Sequence, residues 1–116
     1  MPDIPAIKTL RDIRQIEQTP LAERDLPAST YELIRRSAAR QMDAPALSFI
    51  LQGTADEAAY RLTYGQLLGK ITQTANAFHR LGLRPGKAVS FLLPNLPQTH
   101  FTIWGGEAAG IVNAIN

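Results

Sequence analysis

Leu62-Thr63-Tyr64-Gly65-Gln66-Leu67 opens the half of the chain whose reading decides the fold, and Ile111-Val112-Asn113-Ala114-Ile115-Asn116 closes it. Thr63 and Gln66 have the spacing of a capping box. The threonine hydroxyl and the glutamine side chain each satisfy a backbone N–H that the first helical turn leaves unpaired. Leu62, just before the cap, is placed to pack on Leu67 as a hydrophobic staple. Leu67, Leu68, Ile71, Ala75, Phe78 and Leu81 then recur at helical spacing and predict a buried stripe. Gly82 stands where a left-handed C-terminal cap is wanted, and Pro85-Gly86 forms the turn beyond it. Val89-Ser90-Phe91-Leu92-Leu93 is a nearly continuous apolar run, which predicts a strand covered on both faces. Pro94 to Gln98 starts another helix, with Asn95 as the expected N-cap and Pro97 in the first turn. Phe101, Trp104 and Ala108 make its inner stripe, Gly110 ends it, and Ile111 to Ile115 reads as the final strand. A helix between successive strands, twice over, implies right-handed crossovers and parallel pairing.

Upstream the signals are more mixed. Ile7, Leu10, Ile13 and Ile16 recur every third residue and predict a short amphipathic helix over about Ala6 to Gln18. Thr19 to Ala28, with two prolines and alternating charges, reads as an extended connector. Ser29-Thr30-Tyr31-Glu32 is a second capping box, followed by a stripe of Leu33, Ile34, Ser37, Ala38 and Gln41-Met42. Asp43-Ala44-Pro45 ends that helix, and Ala46 to Leu51 reads as a strand. Gly53 to Glu57 is turn-rich, and Tyr60 to Thr63 is expected to return as an antiparallel hairpin. The fold class is therefore α/β: a partial N-terminal subdomain of parallel strand-helix-strand units plus a small antiparallel hairpin.

Composition narrows the function classes. The 116 residues suit one small domain, and the absence of cysteine removes disulfides and thiolate metal ligands. The longest uncharged stretch, Ala88 to Gly106, is interrupted by Pro94, Asn95, Pro97, Gln98 and His100, so no membrane span is expected. The start lacks the basic and then apolar run of a signal peptide, and a cytoplasmic location is the expectation. Charge is uneven. Residues 1–57 carry seven Lys/Arg against nine Asp/Glu, while residues 58–116 carry five against one. The five cations, Arg61, Lys70, Arg80, Arg84 and Lys87, are scattered without interleaved aromatics, so a solvated surface is favoured over nucleic-acid binding.

The candidate chemistry is sparse. Gly82 to Lys87 imitates a phosphate loop but has three residues between its glycines where four are needed, and Ala88 where Ser or Thr should hold magnesium. It also lies between helix and strand, the wrong order for a helix N-terminus to meet an anion, so a helix-ending turn is predicted. His79 and His100 fall on different helices with no second ligand at metal spacing. His100 follows a strand's C-terminal end, where open α/β sheets gather ligands, which makes it a candidate for lining a pocket against a surface or half-buried histidine. No serine sits in a nucleophile elbow, and Glu107 has no acid/base partner within local reach. Gly105-Gly106 inside a helix predicts close packing of another backbone there, with a ligand approaching the backbone as the alternative. No residue is assigned a catalytic, cofactor-binding or metal role.

From about residue 20 onward the chain resembles the N-terminal region of the AMP-forming acyl-CoA synthetases, in the adenylate-forming superfamily. Leu62 to Leu67 looks like the family's Leu-Thr-Tyr-x-Glu-Leu box, with glutamine for the commoner glutamate. Leu81 to Val89 resembles its Leu-Gly-x-x-x-Gly-Asp-x-Val turn, with Lys87 where an acid is frequent. Phe91 to Pro97 and Gly110 to Asn116 resemble its Leu-Pro-Asn-x-Pro and Ala-Gly-x-x-x-x-Pro-x-Asn stretches, with Ala114 where proline is common. Leu21 to Pro27, the capped helix and the Pro-Ala-Leu strand also look like family N-termini. The order and spacing of the boxes carry the resemblance. It implies a two-step reaction, in which a carboxylate attacks the α-phosphate of ATP to give an acyl-adenylate and coenzyme A then displaces AMP.

The family's phosphate loop, magnesium-contacting acid, ribose aspartate and C-terminal-domain lysine are expected beyond Asn116. The resemblance thus implies ATP, magnesium and coenzyme A for a full-length parent and no cofactor held by this chain. Residues 1–28 are expected as an N-terminal arm, and residues 29–116 as the truncated start of the large adenylation domain. The expected partners are the remainder of the parent enzyme and, through an exposed sheet edge, a second copy. Two other readings remain open: a freestanding α/β binding or interaction module, and one subunit of a split ligase.

Overall fold

Helix α3 (Tyr64–Arg80) forms where its caps and stripe place it, and the other elements pack around it. The structure, a computed structural model, describes residues 7–114. Thr63 Oγ1 accepts from the Gln66 amide at 3.3 Å, and Gln66 Oε1 accepts from the Thr63 amide at 2.9 Å, which completes the box. Leu62 and Leu67 are both buried, as a staple requires. Leu67, Ile71 and Ala75 face inward, with Leu68 and Phe78 half-buried beside them. Leu81 departs from the expected stripe and is 76% exposed, because it is the C-cap residue and the chain turns away there. The end is a Schellman pattern: Leu83 N–H donates to Phe78 O and Gly82 N–H to His79 O, both at 3.1 Å. Gly82 has the positive φ (84°) this geometry demands.

Strands β1 (Pro45–Phe49) and β2 (Tyr60–Thr63) pair antiparallel as the expected hairpin. A bulge between Pro45 and Leu47 breaks the alternation, so Ala46 and Leu47 are both half-buried. Helix α2 (Thr30–Arg40) starts at Ser29, whose Oγ accepts from the Glu32 amide at 3.1 Å. Its expected reciprocal bond is different. Glu32 Oε2 reaches back to the Ala28 amide (2.7 Å), while Oε1 takes the Arg36 guanidinium at 2.8–3.0 Å. Ile34 and Ala38 are buried, whereas Leu33 lies on the rim and is half exposed.

Helix α4 (Pro97–Ala108) begins one residue later than expected. Leu96, not Asn95, is the N-cap, and no side chain caps it; Pro97 takes the first helical position, where a missing N–H costs nothing. Phe101, Trp104 and Ala108 pack with Ile34, Leu67 and Ile71 into the main core cluster, as predicted. Gly105 is buried against α3. A Cβ added there would lie 2.6 Å from Thr74 Cβ and 3.2 Å from the Ile71 carbonyl oxygen, so the paired glycines do mark a close approach. A second Schellman pattern ends α4, with Ile111 N–H on Gly106 O (2.8 Å) and Gly110 N–H on Glu107 O (3.1 Å).

Strands β3 (Ala88–Ser90) and β4 (Val112–Ala114) pair in parallel, so the strand-helix-strand unit around α4 closes as expected. Strands β2 and β3, on either side of α3, instead lie in separate two-stranded sheets. Strand β3 is also shorter than predicted. Pairing runs out after Ser90 with its short partner, and Leu92 is 89% exposed rather than covered on both faces. Ala75, Ala109 and Ile111 form a second cluster, with Val89 packed beside it.

In the N-terminal arm, α1 (Leu10–Glu17) has its own capping box from Thr9 and Asp12 and buries no residue. The Arg24 guanidinium closes its far end on Ile16 O (2.7 Å) and Thr19 O (2.9 Å). The connector predicted as extended contains a 3-10 turn at Leu21–Glu23. The predicted ends at Ala6 and Ile115 lie outside the described residues.

Candidate functional site

The start of α3, which follows directly on β2, is the obvious place to look for an anion site, since helix N-termini present unpaired amides. Those amides are spent within the chain. Tyr64 N–H donates to Ala44 O at 3.0 Å, Gly65 N–H to Met42 O at 2.9 Å, and Gln66 N–H to Thr63 Oγ1. The Gly82–Lys87 segment is likewise a turn, as predicted. Lys87 N–H closes on Arg84 O at 3.1 Å and Gly86 N–H on Gly110 O at 3.3 Å.

Two surface hollows among the described residues bear on the candidate chemistry. The first, about 590 Å³, lies where the C-terminal ends of α3 and α4 meet, and His79, Arg84, Pro85 and Glu107 line it. His79 Nε2 lies 3.3 Å from Ala109 O. Arg84 Nη1 donates to His79 O (2.8 Å) and Leu83 O (2.7 Å), which folds the guanidinium over the end of α3. Glu107, a lone acid by sequence spacing, thus shares a depression with His79 and Arg84 although it lies 28 positions after the former. Folding, not local pattern, creates that neighbourhood.

The second hollow, about 420 Å³, lies between the β1–β2 hairpin and the start of α4, lined by Phe49, Leu51, Tyr60, Leu96 and Pro97 with Glu57 at its edge. Glu57 is the polar residue the sequence reading missed. Its carboxylate accepts from the amides of Leu51 (2.6 Å), Gln52 (2.8 Å) and Gly53 (2.8 Å). Desolvation pushes its pKa up, but the amides of Leu51, Gln52, Gly53 and Thr54 together outweigh it and hold the pKa below its ordinary value. An acid four residues after a glycine in a long hairpin loop is the only signal that could have suggested this. His100 lines neither hollow. It is half-buried, with its ring 5.1 Å from that of Trp104.

Among the described residues no three His, Cys, Asp or Glu side chains gather as a metal-ligand set, and no helix is long and apolar enough to cross a membrane. The amides at the start of α3 are thus bonded within the chain. Helices α3 and α4 pack together beside a parallel strand pair.

The family described as "AMP-binding enzyme" matches residues 34–115, and the chain belongs to that family. It is 33% identical over 110 residues to a marinolic acid–CoA ligase of a Pseudoalteromonas species, covering 95% of this chain and 17% of that one. Among solved structures, acetoacetyl-CoA synthetase from Streptomyces lividans superposes with a TM-score of 0.68 at 29% identity, over 74% of this chain and 13% of that one. The fatty acid AMP ligase from Legionella pneumophila, at a TM-score of 0.67 and 21% identity over 73% and 14%, shares the fold. The chain therefore spans about a sixth of the length of the first of these relatives.

Proposed function

We propose that this chain is the N-terminal scaffold segment of an ATP-dependent, AMP-forming acyl-CoA synthetase and is catalytically inert alone. The observation that carries the reading is the ordered run of four sequence boxes between Leu62 and Asn116, which the AMP-binding family match covers to residue 115. The internally bonded amides at the start of α3 support the inert part. ATP, magnesium and coenzyme A would be held by residues outside the segment, and the substrate class is a carboxylic acid, as the relatives' names suggest. The rest of the polypeptide would cover Leu92 and the unpaired edges of the two short sheets. In the isolated chain those edges would favour self-association. The cytoplasm is the compartment that suits a cysteine-free chain of this family.

The test is ATP–pyrophosphate exchange with a panel of carboxylic acids, run on the complete polypeptide and on the 116-residue chain. Exchange is expected from the first and not from the second. Exchange by the short chain would overturn its inertness, and none from the complete polypeptide with any acid would overturn the ligase reading.

A further inference from the structure

We propose that α1 is a docking element whose apolar face seats against the part of the same polypeptide that follows residue 116. This occupant rests on the reading of the chain as the opening of a longer ligase. Helix α1 has eight residues (Leu10–Glu17), buries none of them and contains no alanine. Isolated helices shorter than about 12–15 residues are marginal in water even when rich in alanine. The capping box at Thr9 and the Arg24 guanidinium on Ile16 O and Thr19 O close its ends, but exposed polar bonds of this kind contribute little each. Among the described residues, none from α1 enters either core cluster. What the helix lacks is apolar cover. Ile13 and Ile16 lie on the side of the helix opposite Arg11, with Leu10 on their flank. Ile16 is half-buried, while Ile13 is 40% and Leu10 73% exposed.

The position of α1 is prepared rather than loose. Asp25, next to the Arg24 that closes the helix, accepts from Arg36 Nη1 of α2 at 2.9 Å, and Glu32 Oε2 accepts from the Ala28 amide at 2.7 Å. A helix tethered this way meets a partner in its own polypeptide at high effective concentration and with little ordering left to lose. A second copy is the poorer occupant, because one short helix face falls far short of the roughly 1,200 Å² that a stable interface buries. A bilayer is poorer too. Arg14 and Glu17, four and seven residues after Leu10, set opposite charges beside it rather than a basic rim. The likeness to the marinolic acid–CoA ligase fits an internal partner. That match takes in 110 of the 116 residues and leaves six outside, so α1, which begins at Leu10, lies within it, and it covers 17% of that relative.

Photo-crosslinking of the complete polypeptide tests the proposal, with benzoylphenylalanine placed in turn at Leu10, Ile13 and Arg11. Leu10 and Ile13 are expected to give crosslinks within one molecule to residues beyond 116, and Arg11 is not. Leu10→Asp should raise hydrogen exchange at the α1 amides about tenfold, by removing the buried leucine, while Arg11→Gln leaves it unchanged. The proposal is overturned if Leu10 and Ile13 link two copies, capture lipid, reach only residues 1–116 or link no better than Arg11. It is equally overturned if Leu10→Asp exchanges as the wild type does. ATP–pyrophosphate exchange reads the ligase assignment separately. Crosslinks beyond residue 116 in a polypeptide without that exchange would break the assignment and leave the docking in place.

Discussion

Helices α3 and α4 lie against one another and stop by the same backbone pattern, yet they start in different ways. Each ends with a glycine at positive φ and a pair of back-turned amides. At its start α3 draws on a side-chain box, which fixes its first residue locally, and on two carbonyls, Met42 O and Ala44 O, from the turn between α2 and β1. Helix α4 has no side-chain cap; Pro97 removes one donor and Thr99 N–H closes on Leu96 O at 3.0 Å. Its position is set instead by what it packs on. The hairpin tip shows a third solution, a carboxylate that collects three consecutive amides. Backbone donors are thus satisfied by side chain, by omission or by anion, and each choice fails differently when altered.

The largest effect is expected where the two helices touch. Gly105→Val should cost about 3 kcal/mol in urea unfolding, because Thr74 leaves no room for a side chain. Adding Thr74→Gly should recover part of the loss; an unchanged midpoint for Gly105→Val would show that the helices are free to move apart. The matched C-termini should separate next. Gly82→Ala and Gly110→Ala each force a left-handed alanine at about 1–2 kcal/mol. Gly110→Ala should be the worse, since its Cβ would sit 3.2 Å from Pro85 Cγ while Gly82 faces open space. Equal midpoints would mean that the Pro85 ring yields.

Smaller differences are expected at the starts. Thr63→Ala should lose about 1 kcal/mol of stability, and Asn95→Ala should stay within about 0.5 kcal/mol of wild type. A loss at Asn95 matching that at Thr63 would return the cap of α4 to the position the sequence suggests. The smallest is confined to the hairpin tip. Glu57's folded pKa is depressed, so its contribution is complete above the ordinary carboxylate pKa and fades as pH falls through the folded value. The amide resonances of Leu51, Gln52 and Gly53 should shift together on acidification, and Glu57→Gln should abolish that acid-range transition.

What the sequence showed follows the same division. Thr63, Gln66, Gly82 and Gly110 act within a few residues of themselves, and their roles were legible from spacing alone. The cap of α4 was misplaced because Asn95 is the better capping residue, while Pro97's fixed φ and the packing of Phe101 and Trp104 decide the start. Leu81 and Leu92 looked like core because apolarity counts equally along a run, whereas burial depends on whether a partner surface reaches that position. The Glu57 amide cluster and the His79–Arg84–Glu107 depression were invisible for another reason. Both depend on how loops fold back, which periodicity does not encode.

The approach of Gly105 to Thr74 also has a history written into it. Neither position can grow by itself, so two changes that would be compatible together are separated by an unfavourable intermediate if the larger residue comes first. Related chains should therefore vary at these two positions in step, with the threonine shrinking before the glycine is replaced. Residues 74 and 105 would then inherit as one trait, although they stand thirty-one positions apart.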